Sequence, residues 1–391
     1  MTRDFFYPNL NFEKINQIDS DCVMQTYTRQ PIALVKGWGS VVSDIEGREY
    51  IDCVAGIAVN NVGHCHPAVV ESIKKQAEQL IHVSNLYYTP PQAMLAEKLV
   101  SITGMDRIFF CNSGTEAVEA AMKLARTRTG RKNFVSTYGA FHGRSMGALS
   151  LTHKEAYRNP FRPLVENVDF VPYNDPEAIS ESVDRDTAAV IIEPIQGEAG
   201  VNIPSPGYLQ EVCRICDEND ALLIFDEVQT GFGRTGTWFC RQHSGVLPDI
   251  MTMAKAMGGG FPMGAIASRE DISFGKGEHA STFGGSPLAC AASLAAIGAI
   301  EDENMLERCT RLGEYFMSRL KEMSRDDILD VRGAGLMIGV ELGADCGDIV
   351  SYGRENGVLL NCTSDSVLRL VPPFVITEEQ IDTVVDIIEQ A

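Results

Sequence analysis

Short apolar runs alternate with amphipathic stretches through the middle of the chain. Between about residues 105 and 268, seven β-rich runs are predicted strands: Arg107–Cys111, Asn133–Ser136, Val168–Val171, Ala188–Ile192, Ala221–Phe225, Asp249–Met253 and Met263–Ala267. Several are apolar on both faces, as expected of strands that lie between two layers of helices. Helical patterns at Thr115–Arg128, Pro176–Val183 and Gly207–Asn219 separate them. This alternation predicts an α/β fold with a mainly parallel, seven-stranded sheet.

The two ends of the chain have a different pattern. Residues 31–53 contain short strands with a turn at Asp44–Gly47. The C-terminal part contains, in order, helices at about 285–303 and 305–323, strands Leu336–Glu341, Val358–Asn361 and Val367–Leu370, and a last helix from Thr377, whose spacing to Gln380 is that of a capping box. We predict that residues 1–54 and 286–391 form a smaller α+β domain beside a large domain of residues 55–285.

Composition and charge restrict the class of protein. The chain has 391 residues, 45% of them hydrophobic and 22% charged, which is typical of a soluble globular protein. Its formal net charge of −20 argues against nucleic acid or an anionic membrane as a partner, because both would repel it. No apolar run approaches transmembrane length, and Met1–Phe6 lacks the charged-then-apolar order of a secretion signal. We expect a cytoplasmic protein.

The cysteines and histidines do not predict a metal site. The cysteines number 11, an odd count, and several lie in apolar stretches, so we expect reduced thiols rather than a disulfide framework. Cys213 and Cys216 have the spacing of a zinc ligand pair but no second pair to complete it. His64 and His66 lie in a Gly/Pro turn that also lacks a fourth ligand.

A phosphate-binding turn is predicted where the first strand of the sheet meets a helix. The segment Asn112-Ser113-Gly114-Thr115 offers free amides at a helix start, a glycine that permits close approach, and two hydroxyls. Serine and threonine are also common at helix starts for purely local reasons, so a plain N-cap is the alternative.

An acid and a lysine follow two later strands. Asp226 ends the apolar run Leu222–Asp226, and Lys255 lies among small and apolar residues before Gly258–Gly260. A desolvated lysine favours the neutral amine, which attacks an aldehyde, and an acid can hold a ring nitrogen protonated. Pyridoxal phosphate (PLP) requires both groups. The alternatives are an ordinary strand-end acid, a surface lysine, or a dinucleotide-binding glycine loop, whose G-x-G-x-x-G order is missing.

Several segments together resemble the class III (subgroup II) aminotransferases, which are PLP enzymes of fold type I (aspartate-aminotransferase-like). The segments that carry the resemblance are Gly56–Asn60 with Gly63–Pro67, Asn112–Glu116, Ala140–Arg144, Leu223–Gln229 through Lys255, and Ser281–Pro287. The similarity extends from about Tyr27 to the C-terminus. One departure is Ser286, where the family loop often has asparagine.

The resemblance implies a cofactor role for each matching residue. Lys255 would be the amine that links to PLP and shuttles a proton, and Asp226 would pair with the ring nitrogen. The remaining cofactor residues are the phosphate-binding Ser113, Gly114 and Thr115, the ring-stacking Phe141 and Val228, the acid Glu227 beside Asp226, Gln229 at the phenolic oxygen, and Thr282, which would reach the phosphate of a partner subunit. The last role implies a homodimer with shared active sites.

The resemblance also implies two substrates. Arg144 and Arg369 can each bind a carboxylate, and Glu198 would neutralise Arg369 when no substrate carboxylate is there. Ser281 and Tyr27 complete the implied substrate residues. We expect acetylornithine as the amino donor, ahead of ornithine, 4-aminobutyrate and succinylated donors such as succinyl-diaminopimelate. The acceptor would be 2-oxoglutarate, which becomes glutamate.

The same fold hosts other reactions, so a PLP decarboxylase or an aminomutase stays open at this point. Both predict that 2-oxoglutarate would not act as the amine acceptor. A non-enzymatic PLP-binding role is the least favoured alternative, because every catalytic group is present.

Overall fold

The computed structural model of this protein describes residues 10–391. The segment Met1–Phe6 and the start of the predicted 1–54 segment lie outside this range. Within it, no helix combines the length and the apolar character needed to span a membrane. The helices are α1 Phe12–Cys22, α2 Ala55–Ala58, α3 Pro67–Gln79, α4 Pro90–Thr103, α5 Gly114–Thr129, α6 Met146–Leu151, α7 Glu155–Arg158, α8 Pro176–Ser182, α9 Tyr208–Glu218, α10 Arg241–Ser244, α11 Pro287–Asp302, α12 Met305–Lys321, α13 Gly347–Glu355 and α14 Glu378–Gln390.

The strands form three sheets, of which the central one has seven strands in the order β4-β10-β9-β8-β7-β5-β6. The strands are β1 Leu34–Trp38, β2 Val41–Asp44, β3 Glu49–Asp52, β4 Arg107–Cys111, β5 Asn133–Thr137, β6 Val168–Val171, β7 Thr187–Ile192, β8 Leu222–Asp226, β9 Ile250–Met253, β10 Gly264–Ser268, β11 Ile328–Ala334, β12 Met337–Leu342, β13 Val358–Leu359, β14 Asn361–Thr363 and β15 Val367–Leu370. Only β10 runs antiparallel to its neighbours in the central sheet.

The central sheet confirms the predicted α/β fold. Each of its strands lies within one residue of the predicted bounds at both ends. The carboxyl ends of β4, β5, β7, β8 and β9 meet at one edge of the sheet, where ligands bind in folds of this class. Helix α5 covers one face, and α8 and α9 cover the other, so the strands are buried on both sides.

Two smaller sheets join the ends of the chain. In the first, β3 from the N-terminal part pairs in parallel with β13 from the C-terminal part. The second has the order β11-β12-β15-β14. The single strand predicted at 358–361 is wrong, because β13 and β14 belong to different sheets. The domain bounds at 54 and 285 stay a prediction.

Several local predictions can be compared with the structure. The capping box of Thr377 and Gln380 is confirmed at the start of α14. His64 lies 2.7 Å from Asp52 and His66 lies 2.9 Å from Glu303, each through Nε2. The expectation of reduced thiols is wrong for one pair, because Cys346 and Cys362 form a disulfide, while the other nine cysteines are free.

Candidate active site

A cavity of about 480 Å³ lies at the carboxyl edge of the central sheet. Its walls come from the loops that follow β4, β5, β7, β8 and β9. The lining includes Ser113, Gly114, Thr115, Phe141, Arg144, Asp226, Val228, Gln229 and Lys255. Nine of the predicted site residues, from the four segments that follow β4, β5, β8 and β9, therefore meet at one cavity.

The plain N-cap is present at the start of α5, while phosphate binding there stays a prediction. The Ser113 hydroxyl is an N-cap, since it accepts from the Glu116 amide at 3.3 Å and donates to the Glu116 carboxylate at 2.9 Å. The Thr115 hydroxyl lies 2.6 Å from the Ser145 hydroxyl. The amides of Gly114 and Thr115 lie in the first turn, where a helix has no internal acceptors. An anion would therefore be held mainly by these amides.

Glycine is required at the two places where loops approach this turn. A Cβ on Gly114 would lie 2.8 Å from the Val228 side chain, which also lines the cavity. Gly143 has φ = +132°, and a Cβ there would lie 2.5 Å from the Thr115 hydroxyl. Side chains at either position would push the walls apart or displace the turn.

Asp226 is held by three hydrogen bonds at the end of β8. One carboxylate oxygen accepts from the Thr252 hydroxyl at 2.9 Å and from the Val228 amide at 3.1 Å. The other lies 2.7 Å from Nδ1 of His142. Burial alone lowers the pKa of His142, but the hydrogen bond and charge of Asp226 outweigh it and raise that pKa. His142 therefore orients Asp226, as expected for a positioning residue.

Lys255 begins the short 3₁₀ turn Lys255–Gly258, directly after β9. Its backbone has φ = +46°, a left-handed conformation that residues other than glycine rarely adopt and that is often found at functional sites. Burial is the largest influence on its amine and lowers the pKa, which favours the neutral nucleophile. Glu198 and Asp226 oppose that shift with their negative charges.

Glu193 is a buried acid that the sequence analysis did not identify. It follows β7 directly, and the pairing of Ile192 with Phe225 places it beside Asp226 on the next strand. Its carboxylate accepts from the amides of Phe141 at 3.1 Å and Gly197 at 3.3 Å. Glu193 therefore joins the Phe141 loop to the loop that carries Glu198. Its position after an apolar strand, the same signal as for Asp226, could have identified it.

Arg369 and Glu198 form an ion pair behind Gln229. Arg369 is only 1% exposed, and Nη1 donates to the Glu198 carboxylate and, at 3.2 Å, to the Gln229 side-chain oxygen. Nη2 donates to Asn361 at 2.8 Å. Burial raises the pKa of Glu198, but the charges of Arg369 and Lys255 outweigh it and hold that pKa below its ordinary value. The pairing predicted for these two residues is present.

Arg144 has a different environment on the far side of the cavity. It is exposed, and among residues 10–391 no carboxylate lies within ion-pair distance of it. Its guanidinium carbon lies 3.4 Å from the centroid of the Tyr157 ring and 5.7 Å from that of Phe141. Arg144 thus presents a cation to the cavity that no acid of the described chain neutralises.

Four predicted residues lie away from the cavity. Glu227 is buried, and its carboxylate binds the Thr230 hydroxyl and the amides of Cys240 and Arg241, so we assign it a structural role instead of cofactor contact. Ser281 and Thr282 line a separate, smaller cavity. Tyr27 is 75% exposed. A single chain therefore does not bring Thr282 or Tyr27 to its own site.

The residues at the cavity fit PLP. The half-buried Lys255 lines the same cavity as an acid that three hydrogen bonds hold in place, and Phe141 and Val228 supply apolar walls for a flat ring. The N-terminal turn of α5 offers amides and a favourable dipole for a phosphate. Among the described residues, no group of three His, Cys, Asp or Glu side chains is arranged to hold a metal ion.

Comparisons with known proteins agree with this site. Residues 23–391 match the family model described as aminotransferase class-III. The chain is 66% identical to the acetylornithine aminotransferase of Methanosarcina acetivorans, over 98% of both chains. Among solved structures, it resembles the ornithine aminotransferase from Toxoplasma gondii ME49, with a TM-score of 0.94 and 34% identity over 97% of this chain and 94% of that one. It also resembles the acetylornithine aminotransferase from Elizabethkingia anophelis, with a TM-score of 0.87 and 33% identity over 97% and 98%.

Proposed function

The chain belongs to the class III aminotransferases, which use PLP, and from that premise we propose that it moves the distal amino group of N2-acetylornithine to 2-oxoglutarate. The products are N-acetylglutamate 5-semialdehyde and glutamate. The observation that carries the proposal is the contrast between Arg144, which has no acidic partner in the described chain, and Arg369, which Glu198 neutralises. The choice of donor is supported by the 66% identity to the acetylornithine aminotransferase of Methanosarcina acetivorans, against 34% for the ornithine aminotransferase of Toxoplasma gondii ME49.

Each side chain at the cavity has a role in this reaction. PLP, when bound, supplies an aldehyde for the amine and a ring that draws electrons from the substrate carbon. Lys255 would hold the cofactor at its aldehyde and would move the proton of the substrate carbon that bears the amine. Asp226 would keep the ring nitrogen protonated, and Gln229 would contact the phenolic oxygen. Phe141 and Val228 would hold the ring, and the amides of Gly114 and Thr115 would hold the phosphate.

The two arginines let one cavity accept two substrates of different shape. Acetylornithine places its α-carboxylate on Arg144, which directs its distal amine toward Lys255, while Glu198 stays on Arg369. Glutamate or 2-oxoglutarate places its α-carboxylate on Arg369 and displaces Glu198, while its side-chain carboxylate uses Arg144. Arg369 needs an anionic partner in both states, because a buried and unpaired cation is costly.

The functional unit in this proposal is a homodimer with shared active sites. Thr282 would bind the phosphate in the partner's site, and Ser281 would contact the partner's substrate. The support is that neither residue lines the cavity of its own chain, which Ser281 meets through a hydrogen bond from Asn112 at 3.3 Å, and that Thr282 and the neighbouring Phe283 are exposed. Tyr27 is exposed in the same way, and we assign it to the substrate of a completed dimer.

A panel of amino donors tests the proposal. The purified holoenzyme is assayed with 2-oxoglutarate and acetylornithine, succinylornithine, ornithine, 4-aminobutyrate or succinyl-diaminopimelate, and kcat/KM is compared. We expect acetylornithine to rank first. If ornithine or 4-aminobutyrate ranks first, the proposed donor is wrong. If 2-oxoglutarate accepts no amine from any donor, transamination of this acceptor is wrong, and a decarboxylase or aminomutase becomes the better proposal.

A further inference from the structure

The backbone of Arg144 is fixed on both sides. Gly143 packs against the Thr115 hydroxyl, which also accepts from the Ser145 amide at 3.1 Å. The Ser145 hydroxyl in turn donates to Glu119 of α5 at 2.7 Å. The Arg144 side chain, by contrast, has no ion pair within the described residues, so something other than a carboxylate must keep its guanidinium in place.

Tyr157 of α7 is the group that does so. Its ring centroid lies 3.4 Å from the Arg144 guanidinium carbon, the shortest cation–ring distance among the described residues. The ring also meets Phe141 edge to face, with centroids 6.4 Å apart and an interplanar angle of 88°. Tyr157 therefore contacts both the aromatic wall of the cavity and the cation at its mouth.

The helix that carries Tyr157 is itself anchored. Its residue Arg158 places its guanidinium carbon 4.6 Å from the centroid of the Phe170 ring, which belongs to β6 of the central sheet. The Tyr157 amide donates to the Lys154 carbonyl at 2.9 Å. A ring on such a short helix is thus held at a defined distance from the Arg144 loop.

We propose that Tyr157 is a positioning residue for substrate recognition, which stacks on Arg144 so that the N–H edges of the guanidinium stay free for a substrate carboxylate. The inference rests on the proposed role of Arg144 as a carboxylate anchor. An acid in place of the ring would also fix the arginine, but it would occupy the same N–H groups and compete with the substrate. A ring face attracts the cation and leaves those groups unpaired.

The proposal makes a specific kinetic prediction, because both substrates use Arg144. Tyr157→Leu removes the ring face, whereas Tyr157→Phe keeps it and removes only the hydroxyl. We expect Tyr157→Leu to raise KM for acetylornithine and for 2-oxoglutarate by about tenfold, the size of a partly desolvated cation–π contact. Tyr157→Phe should stay within about twofold of the parent, and kcat should change little in both variants.

Glutarate binding separates a role of Tyr157 in carboxylate recognition from a role in the fold alone. The dissociation constant of glutarate, a dicarboxylate that does not react, is measured by calorimetry on the holoenzymes of Tyr157→Leu, Tyr157→Phe, Arg144→Gln and the double variant Arg144→Gln/Tyr157→Leu. We expect glutarate to bind about tenfold more weakly to Tyr157→Leu. We expect no further loss when Tyr157→Leu is added to Arg144→Gln, because the ring acts through the arginine. Tyr138→Leu, which removes an exposed ring that faces His153, is the matched control and should bind glutarate normally.

The possible outcomes are distinguishable. The inference is overturned if Tyr157→Phe raises KM as much as Tyr157→Leu does, or if both variants bind glutarate normally. It is also overturned if the losses of glutarate affinity from Arg144→Gln and Tyr157→Leu add fully in the double variant. It is also overturned if Tyr157→Leu loses cofactor absorbance or thermal stability while its KM values stay normal. If the parent enzyme does not use acetylornithine, the proposed donor fails, yet glutarate binding still tests the stack. If Arg144→Gln binds glutarate normally, the carboxylate anchor and this inference both fail.

Discussion

The two halves of the site are held together in different ways. On the cofactor side, the Asp226 carboxylate has three fixed partners, which come from the segment after β8, from β9 and from the loop after β5. On the substrate side, Arg144 rests on an aromatic ring, and Arg369 depends on a glutamate whose side chain is 34% exposed. On the cofactor side, the partners of Asp226 need not change during the reaction. On the substrate side, Arg144 has no acid to release before it binds a carboxylate, and Arg369 can exchange Glu198 for one.

This difference follows from what each half binds. The cofactor stays through the whole reaction, so a rigid and fully hydrogen-bonded site at the end of a buried sheet serves it best. The substrates alternate, and their carboxylates lie at different distances from the reacting carbon. A site with one permanent anchor and one exchangeable ion pair accommodates both without moving the sheet. Substitutions in the two halves should therefore have different signatures.

Lys255→Ala should have the largest effect of any single change. We expect turnover to fall by at least about 10⁴-fold, because the amine that attacks and then moves the proton is gone. The variant should still bind PLP through the other contacts of the cavity. The measurement is steady-state turnover together with absorbance and borohydride trapping of the cofactor. A trapped adduct on another lysine with activity retained would contradict this assignment.

Asp226→Asn should have the next largest effect. A neutral side chain cannot hold the ring nitrogen protonated, so we expect kcat to fall by about 10²- to 10³-fold. The matched control is Asp249→Asn, which changes a buried acid at the opposite edge of the same sheet, where it accepts from the Leu223 amide at 2.8 Å. The control should reduce thermal stability and leave kcat of the folded enzyme near normal. Equal losses of kcat would show that Asp226 acts only on the fold.

Glu193→Gln should alter how stability depends on pH. Burial is the main cause that raises the pKa of Glu193 to about 7, from 4.5. Between pH 4.5 and about 7, Glu193 keeps its proton in the folded chain but has lost it in the unfolded chain. The free energy of unfolding therefore falls as pH rises through this range, by up to about 3 kcal/mol. Glutamine does not titrate. The melting temperature of Glu193→Gln relative to the parent should therefore rise by a few degrees between pH 5 and pH 8, and a constant difference would contradict the assigned pKa.

Asn361→Ala should have the smallest effect of the four. It removes the 2.8 Å hydrogen bond that Asn361 accepts from Arg369, but leaves the ion pair with Glu198. We expect KM for 2-oxoglutarate to rise by about threefold to tenfold, since a hydrogen bond to a charged group is lost. KM for acetylornithine, which does not use Arg369, should stay normal. Equal increases in KM for both substrates would contradict the proposal that only 2-oxoglutarate binds to Arg369.

The strength of the local pattern explains which elements the sequence could predict. Strands β4 to β10 are apolar on one or both faces and are bounded by turns, so local pattern alone located them. Strand β11 was missed because it places the charged residues Asp330 and Arg332 on a sheet edge. Helix α13 was missed because it has no side-chain N-cap and contains Gly347 and Gly353. Neither element has a strong local signal.

Contacts between residues that are distant in sequence were harder to predict than the elements themselves. Nothing local indicates that Val358 pairs with Ile51, about 300 residues earlier, and this pairing divides the predicted strand 358–361 between two sheets. The Arg369–Glu198 pair came only from the resemblance, because Glu198 lies in a turn after β7 and Arg369 lies on β15 of another sheet. The stack of Tyr157 on Arg144 was not predicted, since a tyrosine on a four-residue helix has no distinctive pattern.

The most direct test of the exchangeable ion pair is a comparison of the two half-reactions of Glu198→Ala. Single-turnover absorbance changes of the holoenzyme are recorded separately with acetylornithine and with glutamate. We predict that the factor by which the rate with acetylornithine falls is at least ten times the factor for glutamate. The reason is that Arg369 is left unpaired only when acetylornithine is bound. Equal losses with both substrates would contradict the account.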